Sequence, residues 1–217
     1  MDRKEPLCVR CAQTQRTCCQ ICEIYVTPGD VERIAAFTGT GDFHEYRRPD
    51  NPEYLDQDDD PLWATRVFRP DGTRRVLHRT ESEGCVFLGP NGCRLPLEVR
   101  PLVCRLYPFD YTENGLQSVN GTMCPTRLLA PGETLLQSLD MDAETAEGWR
   151  RQLYAEIRRE PPATTAPPAI VVPHAEKPRA AAGPHVLSPK SAASATPETG
   201  PGTAAAVPKP PSPCTSV

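Results

Sequence analysis

Aromatic side chains make up only 6% of this 217-residue chain, and nowhere does an apolar run reach the length needed to cross a membrane. Nothing apolar follows Met1-Asp2-Arg3-Lys4-Glu5-Pro6 that could serve as a signal peptide, so the expected compartment is the cytoplasm and no membrane partner is expected. A clustered basic face is also missing. The formal charge is −4, and the segment after residue 160 carries Lys177, Arg179, Lys190 and Lys209 against Glu176 and Glu198, which leaves the rest more acidic still. Nucleic acid is therefore not an expected partner. Chemistry-bearing motifs are scarce too: no glycine-rich nucleotide loop follows a strand, and no Ser/His/Asp or Cys/His set has an assignable base. Whether the chain is an enzyme is left open by its composition.

Large apolar residues are few from Pro161 to Val217, where Pro, Ala, Ser, Thr and Gly dominate. Such a segment buries too little to offset its chain entropy. The expected organisation is a domain over residues 1–160 followed by a disordered proline-rich tail over 161–217. The tail could dock a protein through its Pro-Lys-Pro-Pro or Pro-Pro-Ser-Pro stretches, but a soluble spacer is the simpler reading. Cys214-Thr215-Ser216-Val217 is too short to read as a prenylation box, and Cys214 is taken as incidental. The run Asp56-Gln57-Asp58-Asp59-Asp60 lacks the glycine and distal glutamate of a calcium loop and reads as solvated.

What the chain has instead is cysteine: ten in all, nine of them before residue 125. Cys8-Val9-Arg10-Cys11 and Cys18-Cys19-Gln20-Ile21-Cys22 open the chain, and Cys85, Cys93, Cys104 and Cys124 form a second group. In a reducing compartment such clusters bind metal more often than they form disulfides. A two-residue gap lets a tight turn aim both sulfurs at one ion. Five cysteines among Arg10, Gln13, Gln15 and Arg16 do not fill an apolar face. The expected cofactor is zinc or iron, with an iron–sulfur cluster among the forms that iron could take. Cys18 and Cys22 compete for a place, because neighbours in an extended segment point to opposite sides and spacing alone favours Cys19 with Cys22. Arg100 and Arg105 lie close enough in sequence to Cys104 to offset thiolate charge or to hydrogen-bond cluster sulfide. His44 and His78 read as solvated. A thiol oxidoreductase would want a strand before the first pair and a helix starting inside it, whereas here the first helix is expected only after Cys22.

The expected fold class is a small α+β domain with a thin core, nucleated by metal and built from short helices and two short β-hairpins. Thr27-Pro28-Gly29-Asp30 caps a helix that ends at Gly39, with Val31, Ile34 and Ala35 as its apolar face. A second short helix is expected over residues 42–48, stopped by Pro49. One hairpin is expected from 65–69 to 74–78 around Pro70-Asp71-Gly72-Thr73, another from 109–112 to 116–119 around Glu113-Asn114-Gly115. Cys85-Val86-Phe87-Leu88, a turn over 89–92 and a return at Cys93 would bring two sulfurs together. A last helix, capped by Asp142, is expected over 143–159, where Trp149, Leu153 and Ile157 recur every four residues.

Taken together, the cysteine-rich start, the following Thr-Pro-Gly-Asp-Val-Glu-Arg-Ile helix, Cys85 and Cys93 with seven residues between them, and Arg100-Pro101-Leu102-Val103-Cys104-Arg105-Leu106-Tyr107-Pro108-Phe109 resemble the YkgJ-type CxxCxxCC family, to which zinc or iron chelation is ascribed. The likeness runs from about Cys8 to Cys124. It implies the ligand set Cys8, Cys11, Cys18, Cys19, Cys85, Cys93, Cys104 and Cys124. The chain departs from the family pattern in having six residues, Ala12 to Thr17, where the family has two, and in its extra Cys22. The resemblance also keeps a second class open, an iron–sulfur redox protein or a protein-modifying enzyme related to the flagellin lysine methylase.

Overall fold

A computed structural model describes residues 5–55, 58–82 and 84–162. The proline-rich segment expected to form a tail, Cys214, and the Asp56-Gln57 part of the acidic run lie outside the described residues.

Helix formation begins earlier than the sequence suggested. Helix α1 covers Leu7–Thr14, because Pro6 places its carbonyl to accept from the amides of Val9 and Arg10 at 3.0 and 3.2 Å. Cys8 and Cys11 are thus three apart on one helical face. A second turn of helix, α2 at Cys18–Ile21, is held by the Thr17 amide donating to Gln20 Oε1 at 3.0 Å. Helix α3, Pro28–Thr38, has the expected start and stop: Thr27 Oγ1 accepts from the Asp30 amide at 2.9 Å, and Gly39 closes the end at φ 73°. Ile34 is fully buried, with Val31 and Ala35 packed beside it.

The segment expected as a helix over 42–48 is strand β1, His44–Arg47. It pairs antiparallel with β2, Arg74–Leu77, so the strand expected to fold back on residues 65–69 finds a distant partner instead. Residues Pro61–Arg66 form helix α4, with Asp60 accepting from the Trp63 amide at 3.1 Å. The reason is the cap: Asp60 is buried, not solvated, and also accepts from the Tyr154 hydroxyl. The turn after Pro70 still forms, through Arg69 N to Thr73 O at 2.8 Å, but it joins a helix to a strand. Ile24 and Val26 bond along the other edge of β2.

A two-residue ladder, β3 at Leu88–Gly89 with β4 at Gly92–Cys93, forms the small hairpin expected between Cys85 and Cys93. Helix α5, Leu102–Leu106, leads through a cis Tyr107–Pro108 bond into the hairpin of β5, Phe109–Thr112, and β6, Gly115–Val119. A short helix α6, Leu135–Ser138, precedes α7, Ala143–Ile157, whose Asp142 cap accepts from the Thr145 amide at 2.7 Å. The result is an α+β fold with three separate two-stranded sheets among the described residues. Its core is broader than a thin one: α5 contributes Leu102, Val103 and Leu106, α7 contributes Ala146, Leu153, Tyr154 and Ile157, and these pack with Ile34, Phe109 and Tyr111.

One polar network ties α3, α5 and α7 together. Asp30 is buried to 0% exposure; its Oδ2 accepts from Thr27 N at 3.0 Å and its Oδ1 from Leu102 N, at the head of α5, at 3.1 Å. Arg33 bridges Asp30 at 2.6 Å and Glu156 of α7 at 2.7 Å. Gly29 is needed for that approach, since a Cβ there would meet the Glu156 carboxyl at 2.5 Å.

Candidate metal centre

The nine body cysteines line one cavity of about 110 Å³. Helix α1 brings Cys8 and Cys11, α2 brings Cys18 and Cys19, the β3–β4 hairpin region brings Cys85 and Cys93, α5 brings Cys104, and the turn at Gly121 brings Cys124. The two groups, far apart along the chain, therefore face one space. Because α2 is helical, consecutive side chains diverge by about 100° instead of 180°, so Cys18 and Cys19 both reach it. The opposition expected for an extended segment does not arise.

Short contacts fix this arrangement. The Cys85 amide donates to Cys19 O at 2.7 Å, joining the second group directly to α2. Arg79 donates to Cys22 O at 3.0 Å and Gln20 O at 2.7 Å, capping the carbonyl end of that turn. Gly92, at φ 86°, takes the left-handed conformation that the β3–β4 turn needs, next to Cys8 of α1. Tyr107 OH is 3.9 Å from Cys124 Sγ. Cysteine spacing carries no sign of these four contacts, although Tyr107 belongs to the Arg-Pro-x-x-Cys-Arg-x-Tyr-Pro-Phe element.

The element around Cys104 divides its work between its arginines. Arg100 lines the cavity, donates from Nε to Leu95 O at 2.9 Å, and faces Cys93, Cys19 and Cys8. Of the described residues lining the cavity it alone carries a fixed charge. Arg105, expected beside the sulfurs, does not line the cavity: it donates to Arg100 O at 2.8 Å and Glu98 O at 2.6 Å, holding the loop that presents Arg100. His44 and His78 do not line it either. Cys22 lines the cavity with the others and is buried. Cys8, Cys11, Cys18, Cys19, Cys85, Cys93, Cys104 and Cys124 are free thiols.

Apolar walls from Leu7, Ile24, Leu77, Phe87, Val103 and Leu139 shape the electrostatics. Burial pushes the Cys85 thiol up to about 12 and the Cys8 thiol up to about 11, the latter helped by Cys124 and opposed by Arg100. Cys104 is held well above the ordinary thiol value by burial and by the neighbouring Cys19, Cys85 and Cys93. In the adjacent pair the charge settles on one member: Cys18 donates to Cys19, which raises Cys18 and lowers Cys19, and Arg100 adds to the lowering. Cys19 interacts with Cys8, Cys11, Cys18, Cys85, Cys93 and Cys104, so it sits at the junction of the two groups.

The donor set suits a thiophilic ion. Its ligating side chains are all sulfur, with no carboxylate or imidazole on the wall among the described residues, a chemistry that selects zinc or iron over calcium or magnesium. Among the described residues no three His, Cys, Asp or Glu side chains already close on a single point. Binding a metal through these thiols displaces their protons.

A buried cavity walled by thiols from five elements and served by one arginine defines a cysteine-cluster metal-binding domain. The chain belongs to the CxxCxxCC family, whose description is "putative zinc- or iron-chelating domain" and whose model matches residues 7–125, more than half of the chain. No curated protein and no solved structure matches it. Among the described residues no helix is long and apolar enough to cross a membrane.

Proposed function

We propose that this chain, a YkgJ-type member of the family, chelates zinc or iron in one site shared by both cysteine groups, with Cys8, Cys11, Cys18, Cys19, Cys85, Cys93, Cys104 and Cys124 as ligands and Arg100 offsetting their charge. The convergence of eight free thiols on one apolar cavity carries this reading. A tetrahedral ion uses about four thiolates, so eight match two zinc ions or an iron–sulfur cluster better than one ion. Arg105 contributes by positioning Arg100. The metal is structural at least, because α1, α2, the β3–β4 hairpin and α5 all contribute to the same wall and a bound ion would cross-link them. A thiolate metal site suits a reducing compartment, the cytoplasm.

Elemental analysis and an absorption spectrum of protein purified without air test this. Colourless protein with about two zinc ions per chain fits the structural site; broad visible absorption with iron and sulfide fits a cluster and opens a redox role. Protein free of both metals, with all eight thiols reactive in the native state, would sink the proposal.

A further inference from the structure

A second cleft, of about 350 Å³, lies where the end of α4 meets β1, β2 and the end of α7, and shares no lining residue with the cysteine cavity. It is cationic in an otherwise acidic body. Among the described residues Arg66, Arg69 and Arg75 line it together with the single carboxylate of Glu160 and the rings of Tyr25 and Tyr46. Arg66 and Arg75 have structural ties: Arg66 donates to Glu160 O at 2.7 Å, and Arg75 donates to Glu160 Oε1 at 2.6 Å and Tyr46 OH at 2.7 Å. The Arg69 guanidinium makes no hydrogen bond or ion pair among the described residues and stacks over the Tyr46 ring. A further donor is idle. Tyr25 is 1% exposed, yet its hydroxyl has no hydrogen-bond partner among the described residues. Burial first, and the nearby Glu160 second, push that hydroxyl well above the ordinary tyrosine value, so it stays protonated and able to donate.

A buried hydroxyl without a partner costs free energy, and because Tyr25 is among the residues that line the cleft, a ligand bound there can supply the missing acceptor. The volume falls in the range of small-molecule sites, roughly 300–1,000 Å³. Three guanidiniums against one carboxylate leave an excess of about two positive charges, which a dianion matches. Tyr46, Phe68 and Pro70 add an apolar side that inorganic phosphate would not use.

We propose that this cleft is a binding site for a small organic phosphate monoester, whose phosphoryl oxygens accept from Arg69, Arg75 and the Tyr25 hydroxyl and whose organic group lies against Tyr46 and Phe68. Glu160 holds the place in the free protein: its carboxylate engages Arg75 as the phosphate would.

Trp63 packs edge-on to Tyr25 at 5.2 Å between ring centroids and so reports on the site by fluorescence. The full chain, with its metal as purified, is titrated with phenyl phosphate, inorganic phosphate and sulfate, and metal content is measured before and after. Saturable binding of phenyl phosphate, tighter than that of either inorganic anion and without loss of metal, is the expected result. Arg69→Gln and Tyr25→Phe each weaken it by about tenfold, the effect of one lost hydrogen bond to a charged group. Tyr25→Phe does so while leaving thermal stability equal or higher, because it removes an unpartnered buried hydroxyl. Glu160→Gln tightens binding by removing the competing carboxylate. No saturable response at millimolar phenyl phosphate, or equal affinity in wild type, Arg69→Gln and Tyr25→Phe, overturns the proposal.

Discussion

Replacing Asp30 by asparagine tests how the cysteine cavity is assembled without touching a cysteine. The side chain keeps its size, but one of its two oxygens becomes an amide group. In the native protein both oxygens accept, Oδ2 from Thr27 N at 3.0 Å and Oδ1 from Leu102 N at 3.1 Å and Arg33 at 2.6 Å. Whichever way the new carboxamide turns, a donor faces a donor, so either the capping amide of α3 or the first amide of α5 is left unpaired in a fully buried place. An unsatisfied buried donor costs about 1–3 kcal/mol, and weakening the charged bond from Arg33 adds about 1 kcal/mol. The guanidinium itself is not stranded, because Glu156 remains at 2.7 Å. The expected destabilisation is about 3 kcal/mol, a substantial part of the ~5–15 kcal/mol typical of a domain. That corresponds to a fall in Tm of roughly 10 °C at this chain length. Denaturant titration of the metal-loaded chain measures it. Release of metal to a competing chelator, timed in parallel, should be faster, since α5 carries Cys104 to the cavity. A loss under about 1 kcal/mol with unchanged release would refute the view that Asp30 docks α5.

Other expectations concern the site directly. Cys19→Ser should lower metal content more than Cys124→Ser, because Cys19 neighbours both cysteine groups whereas Cys124 neighbours Cys8 and Cys11; equal losses would count against a shared site. Gly92→Ala forces a side chain into the left-handed region at φ 86° beside Cys8 and should cost about 1–2 kcal/mol, with easier metal release, read by thermal unfolding with and without chelator. The thiols of Cys8, Cys85, Cys93, Cys104 and Cys124 are raised by burial, so at neutral pH metal binding expels protons. Apparent affinity, measured by chelator competition, should climb with pH by about one decade per unit for each proton released. The metal-free chain should behave oppositely: a thiol raised on folding stabilises fully below the unfolded value near ~8.5 and loses that contribution as pH rises toward the folded one. Alkaline titration of the chelated protein, followed by circular dichroism, checks the sign; greater stability on raising the pH would contradict it.

Several features were legible in the residues themselves because their causes are local. Thr27, Pro28, Asp30 and Gly39 mark both ends of α3 by chemistry acting within about one helical turn, and the Asp142 cap of α7 does the same. The β5–β6 hairpin follows from its turn, and thiol spacing named the class of ligand. Elements decided by distant partners were not legible. Residues 44–47 become a strand because β2, well downstream, offers them an edge, and 61–66 become a helix once Asp60 is buried against Tyr154. Leu7–Thr14 is helical with no capping side chain to announce it.

The same division runs through the cavity. Thiol chemistry depends on residue type, so nine clustered cysteines were enough to point to a thiophilic metal before any fold was known. The arrangement of those sulfurs was not contained in their spacing: that both groups share one space, that Cys18 and Cys19 face it together, and that Arg100 enters it while Arg105 stays outside as a brace all came from long-range folding. Those outcomes depend on the pitch of a single helical turn and on backbone bonds such as Cys85 N to Cys19 O, made between residues too far apart along the chain for spacing to reveal.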